Sequence, residues 1–149
     1  MQSTRLMDTE KRLRDIIDGL KDRGNRLTPQ RVAILRAIVE NDSHPSAEQI
    51  HKDILPDFPT TSLATVYKTI TLLKNAGEIL ELGFGDDGNR YDGLRPTPHP
   101  HLICTKCGMI MDTDLDNLDH VVSETAKKSG FSVHSHRFDI FGLCPSCKE

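Results

Sequence analysis

Four cysteines stand as two C-x2-C pairs, Cys104 with Cys107 and Cys144 with Cys147, separated by residues 108–143. Gly108 follows the first pair and Pro145 lies inside the second, so both pairs read as tight turns. Two thiolate pairs on such turns close a tetrahedron around one zinc ion, which pins the two ends of the intervening segment together. The spacing is a strong signal for a structural site, although the segment is longer than in the shortest zinc ribbons. The residues alone leave two alternatives open: disulfides, which a reducing compartment disfavours, and a thiol switch that releases its zinc on oxidation.

The stretch HPHLICTKCGMIMD (99–112) adds two histidines and an aspartate to the first pair. Once four thiolates saturate an ion, those groups are not ligands of the same tetrahedron. His99 and His101 alternate, so an extended strand points both imidazoles to one face, with Asp92 and Asp112 close by in sequence. Imidazole with carboxylate suits Fe(II), Mn(II), Co(II) or Zn(II), the oxygens favouring the first two. The residues therefore suggest a second ion site; the alternative is that His99 and His101 are polar linker groups.

The rest of the chain reads as a globular protein of one domain or two small ones: 149 residues, 36% hydrophobic and 28% charged. No stretch approaches a membrane span, and MQSTRLMDTEKR lacks the apolar core of a secretion signal, so the expected address is the cytoplasm, with no membrane partner. The net charge of −3 is uneven: residues 1–85 hold 12 Lys+Arg and 12 Asp+Glu, and residues 86–149 hold 7 and 10. That balance disfavours nucleic-acid binding overall, but Lys21, Arg23, Arg26 and Arg31 form a local basic run.

TEKRLRDIIDGLKDRG places Leu13, Ile16, Ile17 and Leu20 on one helical stripe, with Gly24 as its stop. Thr28 and Pro29 open a second helix with an apolar face of Val32, Leu35, Ile38 and Val39. Ser46 and Gln49 form a capping box for a third, ahead of Ile50 and Ile54. Ser62 caps a fourth, SLATVYKTITLLKNAG, with Leu63, Val66, Ile70 and Leu73 inside, Thr65, Tyr67, Lys68 and Thr71 outside, and Gly77 at its end. EILELGF and NRYD then flank the turn GDDG as a hairpin. Helices followed at once by a hairpin fit a winged helix, whose fourth helix would enter a major groove; the plainer alternative is a small helical domain carrying a hairpin.

GLRPTPHP (93–100) reads as a linker into a second, α+β unit. There HLIC and MIMDT are short strands around the turn CTKCG, and Asp116 and Gly130 bound a helix. FSVHSHRFDIFGLC alternates as a strand. Met109 and Met111 are expected in the core rather than on a metal. His51, His120 and His134 fit no ligand pattern, and Arg90 reads equally as a wing contact or a solvated charge.

RLTPQRVAIL (26–35), HPSAEQI (44–50), SLATVYKTITLLKNAG (62–77), NRYD (89–92), HPHLICTKCG (99–108) and GLCPSC (142–147) together resemble the ferric uptake regulator family over nearly the whole chain. The resemblance implies a dimeric repressor of transcription with metal as corepressor. Its fold would be an α+β winged-helix DNA-binding domain (1–92), a hinge (93–98) and a dimerisation and metal-binding domain (99–149). Within the family the chain resembles the peroxide-responsive branch, whose regulatory ion is held by three histidines and two aspartates; the matching positions are His44, Asp92, His99, His101 and Asp112. Iron-sensing relatives commonly carry glutamate where Asp112 stands.

The branch further implies that bound Fe(II) reduces peroxide, that His44 and His99 are the histidines oxidised, and that Mn(II) occupies the site without reacting. Cys104, Cys107, Cys144 and Cys147 would hold structural zinc. The partners implied are a double-stranded DNA operator, with Tyr67, Lys68 and Arg26 as contacts, and a second copy of the chain. An ion bridging helical and cysteine-bearing parts would fix the angle of the winged helices and so select the DNA-binding form.

Two departures from the family pattern stand out. Pro98 and Pro100 occupy places where many iron sensors have a histidine and an aspartate of a further metal site, so His136, which matches another ligand of that site, lacks partners. One extra residue also lies between Asp92 and His99. Competing readings are an iron-, manganese- or zinc-responsive repressor without peroxide sensing and, remotely, a non-haem iron oxygenase with His99, His101 and Asp112 as its facial triad. The expected class is not an enzyme, since little of the chain remains to build a substrate pocket.

Overall fold

A computed structural model of the chain describes residues 2–83 and 88–149, with side chains from residue 8 onward. The chain divides into two compact units, Met1–Pro96 and Thr97–Glu149.

The first unit holds helices α1 (Gln2–Asp22), α2 (Pro29–Glu40), α3 (Ala47–Ile54) and α4 (Leu63–Asn75), then strands β1 (Leu80–Gly83) and β2 (Asn89–Asp92). Its core is one cluster: Leu13, Ile16 and Leu20 of α1 meet Ile34, Leu35, Ile38 and Val39 of α2, Ile50 and Ile54 of α3, and Val66, Ile70 and Leu73 of α4, closed by Ile79 and Tyr91. The helix starts follow the expected caps. Thr28 Oγ1 accepts from Arg31 N at 3.2 Å, Ser46 Oγ from Gln49 N at 3.2 Å and Ser62 Oγ from Thr65 N at 3.1 Å. Gly77, at φ 73°, ends α4 in a left-handed turn in which Glu78 N donates to Leu73 O at 3.0 Å.

Three local expectations need correction. Ile34 rather than Val32 completes the inner face of α2, because the helix rolls its 34/35 and 38/39 pairs against the core. The capping box is half made: the Gln49 amide reaches forward to Asp53 Oδ1 at 2.6 Å instead of back to Ser46. Ile17 and Leu63 are partly rather than fully buried.

β1 and β2 pair antiparallel, Leu80 with Asp92 through Gly83 with Asn89. The turn expected at GDDG lies largely outside the described residues. β2 is stitched back to the loop before α3, where Tyr91 N donates to Pro45 O at 3.1 Å.

The second unit holds β3 (His101–Cys104), β4 (Ile110–Asp112), α5 (Leu118–Ser129) and β5 (Asp139–Gly142). β3 is central, antiparallel to β4 and parallel to β5. α5 starts one turn position later than expected, with Asn117 at its cap and no side-chain bond there, and ends at left-handed Gly130. Only the last part of the alternating FSVHSHRFDIFGLC pattern pairs as a strand. Met109 and Met111, expected inside, are 43% and 44% exposed. The reason is a sheet too small to be covered: α5 buries none of its residues, and Phe131, Phe141 and Leu143 are also exposed. Among the described residues no helix is long and apolar enough to cross a membrane.

Candidate metal centres

The four cysteines meet in the second unit, their sulfurs all within 4.8 Å of one another. Cys107 Sγ and Cys144 Sγ are 3.8 Å apart, which matches the edge, roughly 3.8 Å, of a tetrahedron built on Zn–S bonds of about 2.3 Å. None of the four is in a disulfide. Each pair sits on a turn held by its own backbone: Gly108 N donates to Cys104 O at 3.0 Å, with Gly108 at φ 76°, and Cys147 N donates to Cys144 O at 2.9 Å.

The backbone also prepares the sulfurs electrically. Amide groups of Cys107 and Cys144 lower the Cys104 thiol to about 6, while the hydrogen bond with Cys144, then burial, raise Cys147 to about 12. A doubly charged ion displaces the remaining protons from such a set. Donor type and spacing fit zinc.

Each unit contributes histidine and carboxylate donors. In the first, His44 Nε2 lies 3.2 Å from Asp92 Oδ2, both groups buried. The other oxygen of Asp92 accepts from Leu94 N at 2.9 Å and Arg95 N at 3.0 Å, which fixes the carboxylate plane. The extra residue of the 93–98 stretch thus leaves Asp92 facing His44. His44 adopts φ 60°, the left-handed region, and is held there by Arg90, whose Nε bonds His44 O and whose Nη2 donates to Ser43 O at 2.6 Å. Bonded to two carbonyls, Arg90 is not simply a solvated charge, and burial lowers its pKa.

In the second unit Asp112 Oδ1 lies 3.1 Å from His99 Nε2 and 3.3 Å from His101 Nε2. The two rings are 4.4 Å apart, on one face as the alternation requires. The β3–β4 register places His101 opposite Asp112. His99 Nδ1 lies 2.7 Å from Thr97 O, so Nδ1 carries the proton and Nε2 presents its lone pair. All three histidines turn Nε2 to a carboxylate of the donor set. Nitrogen and oxygen donors, without sulfur, fit Fe(II) or Mn(II). His136 joins no ligand group among the described residues.

One neighbour is absent from the sequence reading: Asp139, whose Oδ1 is 3.7 Å from His101 Nδ1. It sits opposite His101 only because β5 runs parallel to β3, which alternation alone does not reveal.

The residues expected to touch DNA lie in the first unit. Tyr67 is 43% exposed on the outer face of α4, and its hydroxyl donates to Glu48 Oε1 at 2.9 Å. Lys68 and Arg26 are exposed. Arg31 Nη1 donates to Arg26 O at 2.5 Å, beside an open groove of about 420 Å³ lined by Arg26, Thr28, Arg31, Thr60 and Thr65. Arg23, by contrast, is spent inside the unit, donating to Ala76 O at 2.9 Å. His51 Nε2 lies 2.7 Å from Thr61 O, which accounts for it without a ligand role.

The family model described as ferric uptake regulator family matches residues 22–141. A peroxide-responsive repressor, PerR, of Staphylococcus saprophyticus is 38% identical over 147 residues, covering 99% of each chain. The Helicobacter pylori ferric uptake regulator Fur, whose structure is described as revealing three functional metal binding sites, superposes with a TM-score of 0.79 at 26% identity, covering 95% of this chain and 94% of that one. PerR from Streptococcus pyogenes, solved as a basis for peroxide sensing and gene regulation, superposes with a TM-score of 0.53 at 30% identity, covering 91% and 92%.

Proposed function

The chain belongs to the ferric uptake regulator family, and from that premise we propose that it is a metal-dependent, peroxide-sensing repressor of transcription. The observation that carries this reading is the donor arrangement: three histidines turn Nε2 toward aspartates, apart from a complete set of four thiolates. Zinc on Cys104, Cys107, Cys144 and Cys147 is structural in this reading, since four sulfurs leave no open position. His44, Asp92, His99, His101 and Asp112 are the ligands of one regulatory Fe(II) or Mn(II).

Fe(II) bound there would supply the redox chemistry that splits the peroxide O–O bond, one oxygen going to a ligand ring, which gives up two electrons overall, and the other leaving as water. His44 and His99 are the residues assigned to take the oxygen. Both are buried, at 3% and 5% exposure, so an oxidation at the site would fall on protein rather than on bulk water. Loss of a histidine donor would weaken the set and undo the tie between His44–Asp92 and the remaining ligands. An ion alters DNA affinity only through a difference in its binding to the two conformations, and a bridge between units supplies one.

DNA is read by α4 with Tyr67 and Lys68, while Arg26 meets phosphate or the minor groove. The exposed apolar surface of Thr97–Glu149 is covered by a second copy, giving two reading helices for a two-fold operator. In this reading the protein acts in the cytoplasm on a double-stranded DNA operator.

The test is mass spectrometry of the zinc-loaded protein after aerobic peroxide, once with Fe(II) and once with Mn(II). Iron, and not manganese, is expected to add about 16 Da, one oxygen, to a peptide holding His44 or His99. Unmodified histidines in the iron sample would reduce the reading to a metal-responsive repressor that does not sense peroxide.

A further inference from the structure

Burying a carboxylate is costly unless it is paired, and Asp139 is 10% exposed at its side chain. Arg137 Nε bonds its Oδ2. The other oxygen, Oδ1, makes no hydrogen bond among the described residues and faces His101 Nδ1 at 3.7 Å. His101 is 1% exposed, and its backbone N donates to Phe138 O at 3.1 Å, so strand pairing fixes both residues opposite each other. The far side of the same ring, Nε2, faces Asp112.

We propose that Asp139 is a positioning residue for the regulatory ion: it stands behind His101, keeps the ring proton on Nδ1, and so reserves the Nε2 lone pair for metal. The inference rests on the function proposed above and deepens it. A carboxylate behind a ligating histidine fixes the tautomer, holds the ring plane and strengthens the ligand. His99 has a neutral carbonyl, Thr97 O, in the same position. The two adjacent histidines are therefore unequal donors, with His101 the stronger anchor of the pair. Arg137 takes the second carboxylate oxygen and balances the charge, which leaves Oδ1 to the imidazole.

The alternative is an ordinary Arg137–Asp139 ion pair that steadies the start of β5. Removing it would change unfolding and leave ion affinity and tautomer alone.

The experiment compares full-length, zinc-loaded wild type with Asp139→Asn and Asp139→Glu, titrated with Mn(II) by electron paramagnetic resonance. Asn is expected to weaken Mn(II) binding by about 10- to 100-fold, with zinc content unchanged, and Glu to restore most of it. Wild-type affinity in Asp139→Asn overturns the inference alone. A wild-type chain that binds no Mn(II) overturns the function on which it rests. Ring 15N shifts of the wild type without regulatory metal give a test that needs no variant to fold: His101 protonated on Nδ1 supports the proposal, and on Nε2 overturns it.

Discussion

Arg90 bonds the carbonyl oxygen of His44, the one non-glycine at positive φ among the described residues. A left-handed histidine costs about 1–2 kcal/mol and persists only where its surroundings hold it. Here the holders are all on β2: Arg90 on the carbonyls of His44 and Ser43, and Tyr91 N on Pro45 O. The hairpin strand and the loop bearing His44 thus move as one piece, and Asp92 ends the same strand.

Arg90→Ala is therefore expected to cost about 1.5–3 kcal/mol of stability, the range for hydrogen bonds made by a charged group. Arg90→Lys recovers only part, because an ammonium does not reproduce the fork that spans two carbonyls. Urea unfolding midpoints measure the loss. Mn(II) affinity is expected to fall as well, although Arg90 is no ligand; unchanged affinity would show that His44 needs no such support.

Gly93 follows Asp92 and lies against α2. A Cβ there would stand 3.0 Å from Ile38 Cγ2 and from Val39 Cγ2, and 3.3 Å from Val39 Cα. Both neighbours are fully buried, so neither side chain has space to retreat. Gly93→Ala is expected to destabilise by about 1–3 kcal/mol through overpacking. Combined with Val39→Ala, which removes one of the two colliding methyls, the loss should be smaller than the sum of the two single changes. A strictly additive double variant would mean that the strain is taken up elsewhere.

How far the sequence reached depends on whether the information is local. Caps at Thr28, Ser46 and Ser62 and the stop at Gly77 were legible because each is set by a few consecutive residues. The sulfur site was legible from two short spacings, and the pairing of His99 with His101 from strand alternation. Arg90 and Asp139 were not, since their roles arise from partners 46 and 38 positions away, His44 and His101, the first brought near by the loop before α3 lying against β2 and the second by the pairing of β3 with β5. Met109 and Met111 misled because an apolar alternating run looks the same whether its cover belongs to the chain or to a partner.

Two tyrosines and no tryptophan make phenol ionisation easy to follow by absorbance. The bond to Glu48, chiefly, raises Tyr67 above the ordinary value, and burial pushes Tyr91 up to about 12. Both steps should therefore fall above pH 10. Tyr67→Phe is expected to leave a single step near 12, and Glu48→Gln to bring the Tyr67 step down. The sign for Tyr91 follows from its raised value. Folding favours the protonated phenol, so its contribution to stability is complete below the unfolded value near 10 and is lost as pH rises toward 12. Unfolding in that window should accompany the second step; a chain that titrates Tyr91 while staying folded would contradict the burial argument.

Assembly gives the last prediction. β5 is an edge strand with Ile140 43% and Phe141 59% exposed, so both of its faces are apolar and open, and neighbouring Leu143 is 52% exposed. An unpaired edge with that much apolar surface is a liability unless something covers it. Phe141→Asp sets a charge on the surface assigned to the second copy, without touching the cysteine turns. Sedimentation equilibrium at one concentration is expected to show a dimer mass for the wild type and the monomer mass for the variant, with zinc content unchanged. Operator affinity should fall too, because a single reading helix engages half of a two-fold site. A variant that keeps the dimer mass would move the interface away from β5; one that loses zinc along with the dimer would show that the sulfur site and the interface are one structure.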